Sequence, residues 1–222
     1  MERITILDQN IPDIGLYTRL ATKGEEYNLM WDFIDFYCSE FARKNKEDNL
    51  AVFVEPRLSS GFPDMVFVTY SQSIQDNWSF QRKKIVTEDL KMLAYLIQRR
   101  KAEGIKIRIE LGLSEKRTQK SLEKLREAKL IAYTEGVWQP QPLKTIFSIK
   151  ELVSIEAKIG SMSRVLEQSM INTWFASHSY ALTVAKKPRL NTLDAFSKRG
   201  VGLYTKVDGF KKLMEAKSLP LP

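Results

Sequence analysis

The chain of 222 residues is 43% hydrophobic and 28% charged, which excludes global disorder and fits one large domain or a domain with a small second module. No stretch approaches the roughly 20 apolar residues of a membrane helix, MERITILDQN has no apolar signal core, and one cysteine with one histidine excludes an intramolecular disulfide and a zinc site. The net charge of +8 is uneven, at −3 over residues 1–86, +4 over 87–141, +1 over 142–185 and +6 over 186–222, so a cytoplasmic protein with basic blocks facing a polyanion is expected.

Tyr27, Met30, Trp31, Ile34, Tyr37, Cys38 and Phe41 recur at helical spacing and predict a helix over 24–43, with Cys38 on its aromatic core face. Residues 49–58 read as a strand, Ser59-Ser60-Gly61 as a turn and 64–70 as a second strand, together a hairpin. Thr87 and the acidic pair Glu88-Asp89 open a helix over 87–101. Helices over 106–112 and 114–129 follow, the latter capped by Ser114, and 130–139 form a short hairpin. The stretch 147–159 contains a strand, 162–177 is helical and 179–185 is a further strand. Residues 207–217 read as a helix. There is no internal repeat and no Pro/Gly/Ser-rich linker.

The chemistry sits in two of these strands. Asp64 opens one of them, and Glu156 and Lys158 lie in the other. Side chains alternate along a strand, so Val153, Ile155, Ala157 and Ile159 form a wholly apolar face, which must be buried. Leu152, Ser154, Glu156 and Lys158 share the opposite face, where a carboxylate and an ammonium stand on an otherwise apolar strand. Buried charges cost several kcal/mol unless paired or bound to metal, so this placement calls for a partner. Asp64 beside Glu156 would make a hard-oxygen site for Mg²⁺, and Lys158 could orient an attacking water. His178 reads as a structural helix-end residue.

Pro63-Asp64 followed by Glu156-Ala157-Lys158 resembles the PD-(D/E)XK motif of restriction-endonuclease-like nucleases. The flanking elements are similar too: a long helix opening with Glu25-Glu26, a hairpin before Asp64, and a helix bearing Gln168 after the second strand. The resemblance implies an α/β fold, a mixed sheet flanked by helices. It implies catalysis by Asp64, Glu156, Lys158, Glu26 and Gln168. Asp64, Glu156 and Glu26 would hold Mg²⁺, with Mn²⁺ as a substitute, and Glu25 and Glu55 are alternative acidic ligands.

Family members often join the two motif strands by a short hairpin, whereas Asp64 and Glu156 are 92 residues apart here. The intervening segment resembles a winged helix, with Leu90, Leu93, Leu96 and Ile97 turned inward from its first helix and Leu122 and Leu125 from its third. In such modules the third helix enters the DNA major groove, which points to Lys116, Arg117, Gln119 and Lys120 for DNA contact. The expected organisation is a nuclease domain in two parts, 1–85 and 142–222, interrupted by a winged-helix insertion over 86–141. The implied function is a Mg²⁺-dependent endonuclease acting on double-stranded DNA, as a homodimer by family analogy, in restriction, phage defence or a mobile element. The alternative is a non-catalytic DNA-binding regulator on a nuclease-like scaffold.

Overall fold

The computed structural model describes residues 3–19, 23–59, 61–72 and 78–221. The chain divides into two compact units: residues 1–71 with 149–222, and residues 72–148 between them. Among the described residues no helix is long and apolar enough to cross a membrane.

The first unit is built on a seven-stranded mixed sheet. Its strands are β1 (Ile4–Leu7), β2 (Asn49–Val54), β3 (Met65–Tyr70), β4 (Ile149–Ala157), β5 (His178–Thr183), β6 (Gly202–Lys206) and β7 (Phe210–Met214), lying side by side in that order. β1 runs parallel to β2. The β2–β3 and β3–β4 pairs are antiparallel, β4, β5 and β6 are mutually parallel, and β7 returns antiparallel along β6.

Helix α1 (Glu25–Lys44) covers one face because Leu29, Met30, Phe33 and Ile34 fall on one stripe. They pack on Leu50 and Val52 of β2, Met65 and Phe67 of β3, and Val153, Ile155 and Ala157 of β4. Phe33 meets Phe67, Tyr204 and Phe210 edge-on, with ring centroids 6.2, 5.0 and 5.2 Å apart. A separate cluster, formed by Val165, Leu166, Ala181, Phe196, Val201 and Leu203, draws on β5, β6 and the helices that join them into the sheet. Gly202 is required on β6, since the Tyr180 ring lies 2.2 Å from where a Cβ would stand.

The second unit holds a 3₁₀ turn (Phe80–Lys84), helices α2 (Thr87–Arg99), α3 (Gly104–Glu110) and α4 (Glu115–Glu127), a two-stranded hairpin (Ile131–Thr134 and Val137–Pro140) and the short helix α5 (Leu143–Ile146). Its core is Met92, Leu93, Leu96, Ile107, Leu122, Leu125 and Ile131. The hairpin turns at Glu135 and Gly136, both at positive φ, as a two-residue turn between twisted strands requires. Ala102 pairs with Trp138 through two 2.9 Å backbone hydrogen bonds, adding a short extended segment beside the hairpin.

The second unit is longer than the expected 86–141. Buried Arg82 explains why, because it donates to the carbonyls of Ala128, Thr145 and Ile146 and so draws both flanking segments into the unit. Ser114 caps α4 as expected, its hydroxyl accepting from the Arg117 amide. Leu90 and Ile97 are exposed instead of inward, and Met92 takes the buried position.

The expected helix over 207–217 is a strand, β7. Gly209, at φ 113°, reverses the chain after Asp208, and the segment then pairs along β6 with one register shift between Leu203 and Tyr204. Pairing of this kind overrides the helix propensity of Lys, Leu and Met. The elements that carried no expectation include β1, β6, the helix Leu190–Lys198, the turn Phe80–Lys84 and α5.

Candidate active site

Antiparallel register places the two motif carboxylates together. Met65 pairs with Ile155, so the next residues outward are Asp64 and Glu156. Asp64 Oδ2 accepts the Ala157 amide at 2.8 Å, which fixes its side chain against the β4 backbone. Both carboxyl groups are buried, with Asp64 6% and Glu156 3% exposed.

Burial pushes the Glu156 carboxyl up to about 8, and the neighbouring charge of Asp64 adds to the shift. Asp64 is also raised, again first by desolvation, against the opposing pull of the Ala157 amide, Lys158 and Arg19. Two buried acids that resist ionising together form an oxygen-rich site with a proton or cation to gain. These two side chains can hold a hard divalent cation, which binds through one or two carboxylates and completes its shell with water and phosphate oxygen. Among the described residues no group of three or more His, Cys, Asp and Glu side chains is arranged to hold a metal ion.

Lys158 and Glu26 meet at the exit of β4. The Lys158 ammonium lies 2.7 Å from Glu26 Oε2, and the Ile159 amide donates to Glu26 Oε1 at 3.4 Å. Glu26, one position into the first turn of α1, is therefore the acidic residue brought to the motif. Its neighbour Glu25 is exposed. Glu55 is buried but paired with Arg19, whose Nη2 lies 2.6 Å from Glu55 Oε1.

The amide that reaches Glu156 is not the expected one. Gln168 is exposed on the helix Met162–Asn172, which we label α6. Asn172, one turn further on and buried, donates to Glu156 Oε1 at 2.7 Å. Packing of α6 against β4 is what distinguishes buried Asn172 from exposed Gln168. Arg19 belongs to no motif and carried no sequence signal. His178 is the first residue of β5, and its Nδ1 lies 3.1 Å from Glu151.

A cavity of about 540 Å³ in the same unit is lined by Tyr37, Glu151, Tyr180, Tyr204 and Lys212, among others. It contains none of the motif residues, and its β4 contributors, Glu151 and Val153, lie nearer the start of the strand.

In the second unit Lys116, Arg117, Gln119 and Lys120 are all exposed, on the first half of α4. Arg117 lies 4.0 Å from Glu88, and the Gln119 amide donates to Glu123 at 3.0 Å. No protein-family model matches the chain, and neither the curated proteins nor the solved structures give a significant match.

Proposed function

We propose that this protein is a divalent-metal-dependent DNA endonuclease. The observation that carries the reading is the meeting of Asp64, the residue just before β3, with Glu156 on the adjacent strand β4, both buried, with Lys158 two residues beyond. A hairpin and a long helix precede the first carboxylate, and a helix and a parallel strand follow the second, which is the element order of the nuclease fold that the motif resembles. In the second unit, three helices, a hairpin and the Ala102–Trp138 pairing support a winged-helix reading. There α4 would present Lys116, Arg117, Gln119 and Lys120 to duplex DNA.

Asp64 and Glu156 would hold Mg²⁺, which supplies neutralisation of phosphate charge and a more acidic bound water. The remaining roles belong to the chain's own groups. The Ala157 amide fixes Asp64, and Asn172 orients Glu156. Lys158, held by Glu26, places an ammonium at the mouth of the site, where it can orient the attacking water and balance charge on the phosphate. Hydrolysis forms a bond from water oxygen to phosphorus as the water gives up a proton, and breaks the bond to the departing sugar oxygen, which takes up a proton.

The test is cleavage of supercoiled and linear DNA with Mg²⁺, Mn²⁺ or EDTA. Wild-type protein should nick or cut only with metal. Asp64→Asn should abolish the activity, and Lys158→Ala should lower it by about 10²–10³-fold. DNA binding without cleavage under every metal would overturn the catalytic reading and leave a DNA-binding regulator.

A further inference from the structure

Glu55 stands immediately after β2 in the left-handed region, at φ 46°, although it is not a glycine. Such a conformation is costly for a residue with a Cβ and persists only where its surroundings enforce it. Two backbone hydrogen bonds do so here. The Glu55 amide donates to the Asp64 carbonyl at 2.9 Å, and the Glu55 carbonyl accepts the Arg19 amide at 3.1 Å.

The carboxylate of Glu55 then takes the Arg19 guanidinium as a fork, with Nη2 to Oε1 at 2.6 Å and Nε to Oε2 at 3.3 Å. Arg19 Nη2 also lies 3.9 Å from Asp64 Oδ1. The Phe62 ring centroid is 5.9 Å from the guanidinium carbon. Glu55 is buried while Arg19 is half exposed, so the fork fixes a cation beside the carboxylate pair and leaves it open to solvent. A guanidinium has five N–H donors, and Glu55 uses only two of them. If Arg19 served only to neutralise Glu55, an apolar residue at position 55 would spare both charges.

We propose that Arg19 is a catalytic residue of the phosphodiester hydrolysis, binding a nonbridging oxygen of the scissile phosphate, with Glu55 as its positioning residue. The inference rests on the nuclease reading above. As the water oxygen bonds to phosphorus, negative charge gathers on the nonbridging oxygens, and a pre-oriented guanidinium stabilises it without reorganising. Glu55, with both oxygens committed to Arg19, is then a support for the site and not a ligand of the cation.

The experiment measures kcat and KM for wild type, Arg19→Ala, Arg19→Lys and Glu55→Gln, each checked for folding by its thermal midpoint. Substrates are DNA duplexes carrying ordinary phosphate or either phosphorothioate diastereomer at the scissile linkage. Arg19→Ala should lower kcat by about 10²–10³-fold with KM changed less than threefold. Arg19→Lys should recover only part of this, because an ammonium lacks the fork. Glu55→Gln should lower kcat by about tenfold.

The wild-type rate loss on sulfur substitution at one nonbridging oxygen should vanish in Arg19→Ala, while the loss at the other remains. Unchanged kcat in Arg19→Ala, or a sulfur effect identical to wild type in both diastereomers, would overturn the inference while leaving the nuclease reading intact. If Arg19→Ala does not fold, Arg19→Lys and Glu55→Gln decide by the same measurements. Failure of the wild type to cleave would overturn the reading itself, and the inference with it.

Discussion

Glu156 is the residue whose environment makes the sharpest demand on solution conditions. Its carboxyl, raised from 4.5 to about 8, binds its proton more tightly folded than unfolded. The stability this proton contributes is fully present below pH 4.5 and is lost as the pH climbs towards 8. In metal-free protein, Glu156→Gln should therefore raise the thermal midpoint at pH 8 by on the order of 5 °C and flatten its fall between pH 5 and 8. Millimolar Mg²⁺ should raise the wild-type midpoint at pH 8 and leave that of Glu156→Gln nearly unchanged, a readout independent of cleavage. A wild-type midpoint that does not respond to pH or Mg²⁺ would contradict both expectations. Asp64, Glu156 and Lys158 were legible in the sequence because a charge on an apolar strand is locally anomalous. Arg19 and Asn172 were not, since each is an ordinary polar residue until β2 or β4 is folded against it. The choice of Glu26 over Glu25 likewise depends on the rotation of α1 against the sheet.

At the scale of elements, α2 and α4 are clamped by one buried acid. Asp89 accepts from the Ser121 hydroxyl at 2.6 Å, the Lys124 ammonium at 3.2 Å and the Val86 amide at 3.2 Å. Asp89→Ala strips these donors of their acceptor and should cost about 2–3 kcal/mol, read as a lowered urea midpoint. The solvent-exposed positions in the first half of α4 should behave differently. Lys116→Ala with Arg117→Ala removes exposed charge, so stability should stay within about 0.5 kcal/mol while DNA affinity falls and the salt slope of binding shrinks by about 2. Unchanged binding would remove α4 as the DNA-contacting helix. Helices α1, α2, α4 and α6 and the β2–β3 hairpin were readable because their periodicities are strong. The strand β7 was not, because FKKLM reads as a good helix and only its ladder with β6, closed by Asp208-Gly209, makes it extended. Its lysines also guard the outer edge of the sheet against pairing with another chain.

Across the whole molecule, the second unit interrupts what would otherwise be a simple hairpin. Tyr70 at the end of β3 pairs with Ile149 at the start of β4, so the chain leaves and re-enters the sheet at one point. Replacing residues 72–148 by an Asn-Gly turn should leave a cooperatively folding sheet domain that has lost most of its DNA affinity, as judged by near-UV circular dichroism and a binding assay. Loss of cooperative unfolding would show that the sheet depends on the insert. The discontinuity was foreseeable from the spacing of the two carboxylates, though its boundaries were not, because Arg82 recruits flanking residues through main-chain carbonyls that no side-chain pattern encodes. The same interruption also has a consequence in time. A ribosome adding about 5–20 residues per second makes Asp64 roughly 5–20 s before Glu156, with an entire folded unit to be synthesised in between. Throughout that interval the nascent chain carries one half of its acidic pair, which is complete only once β4 closes onto β3.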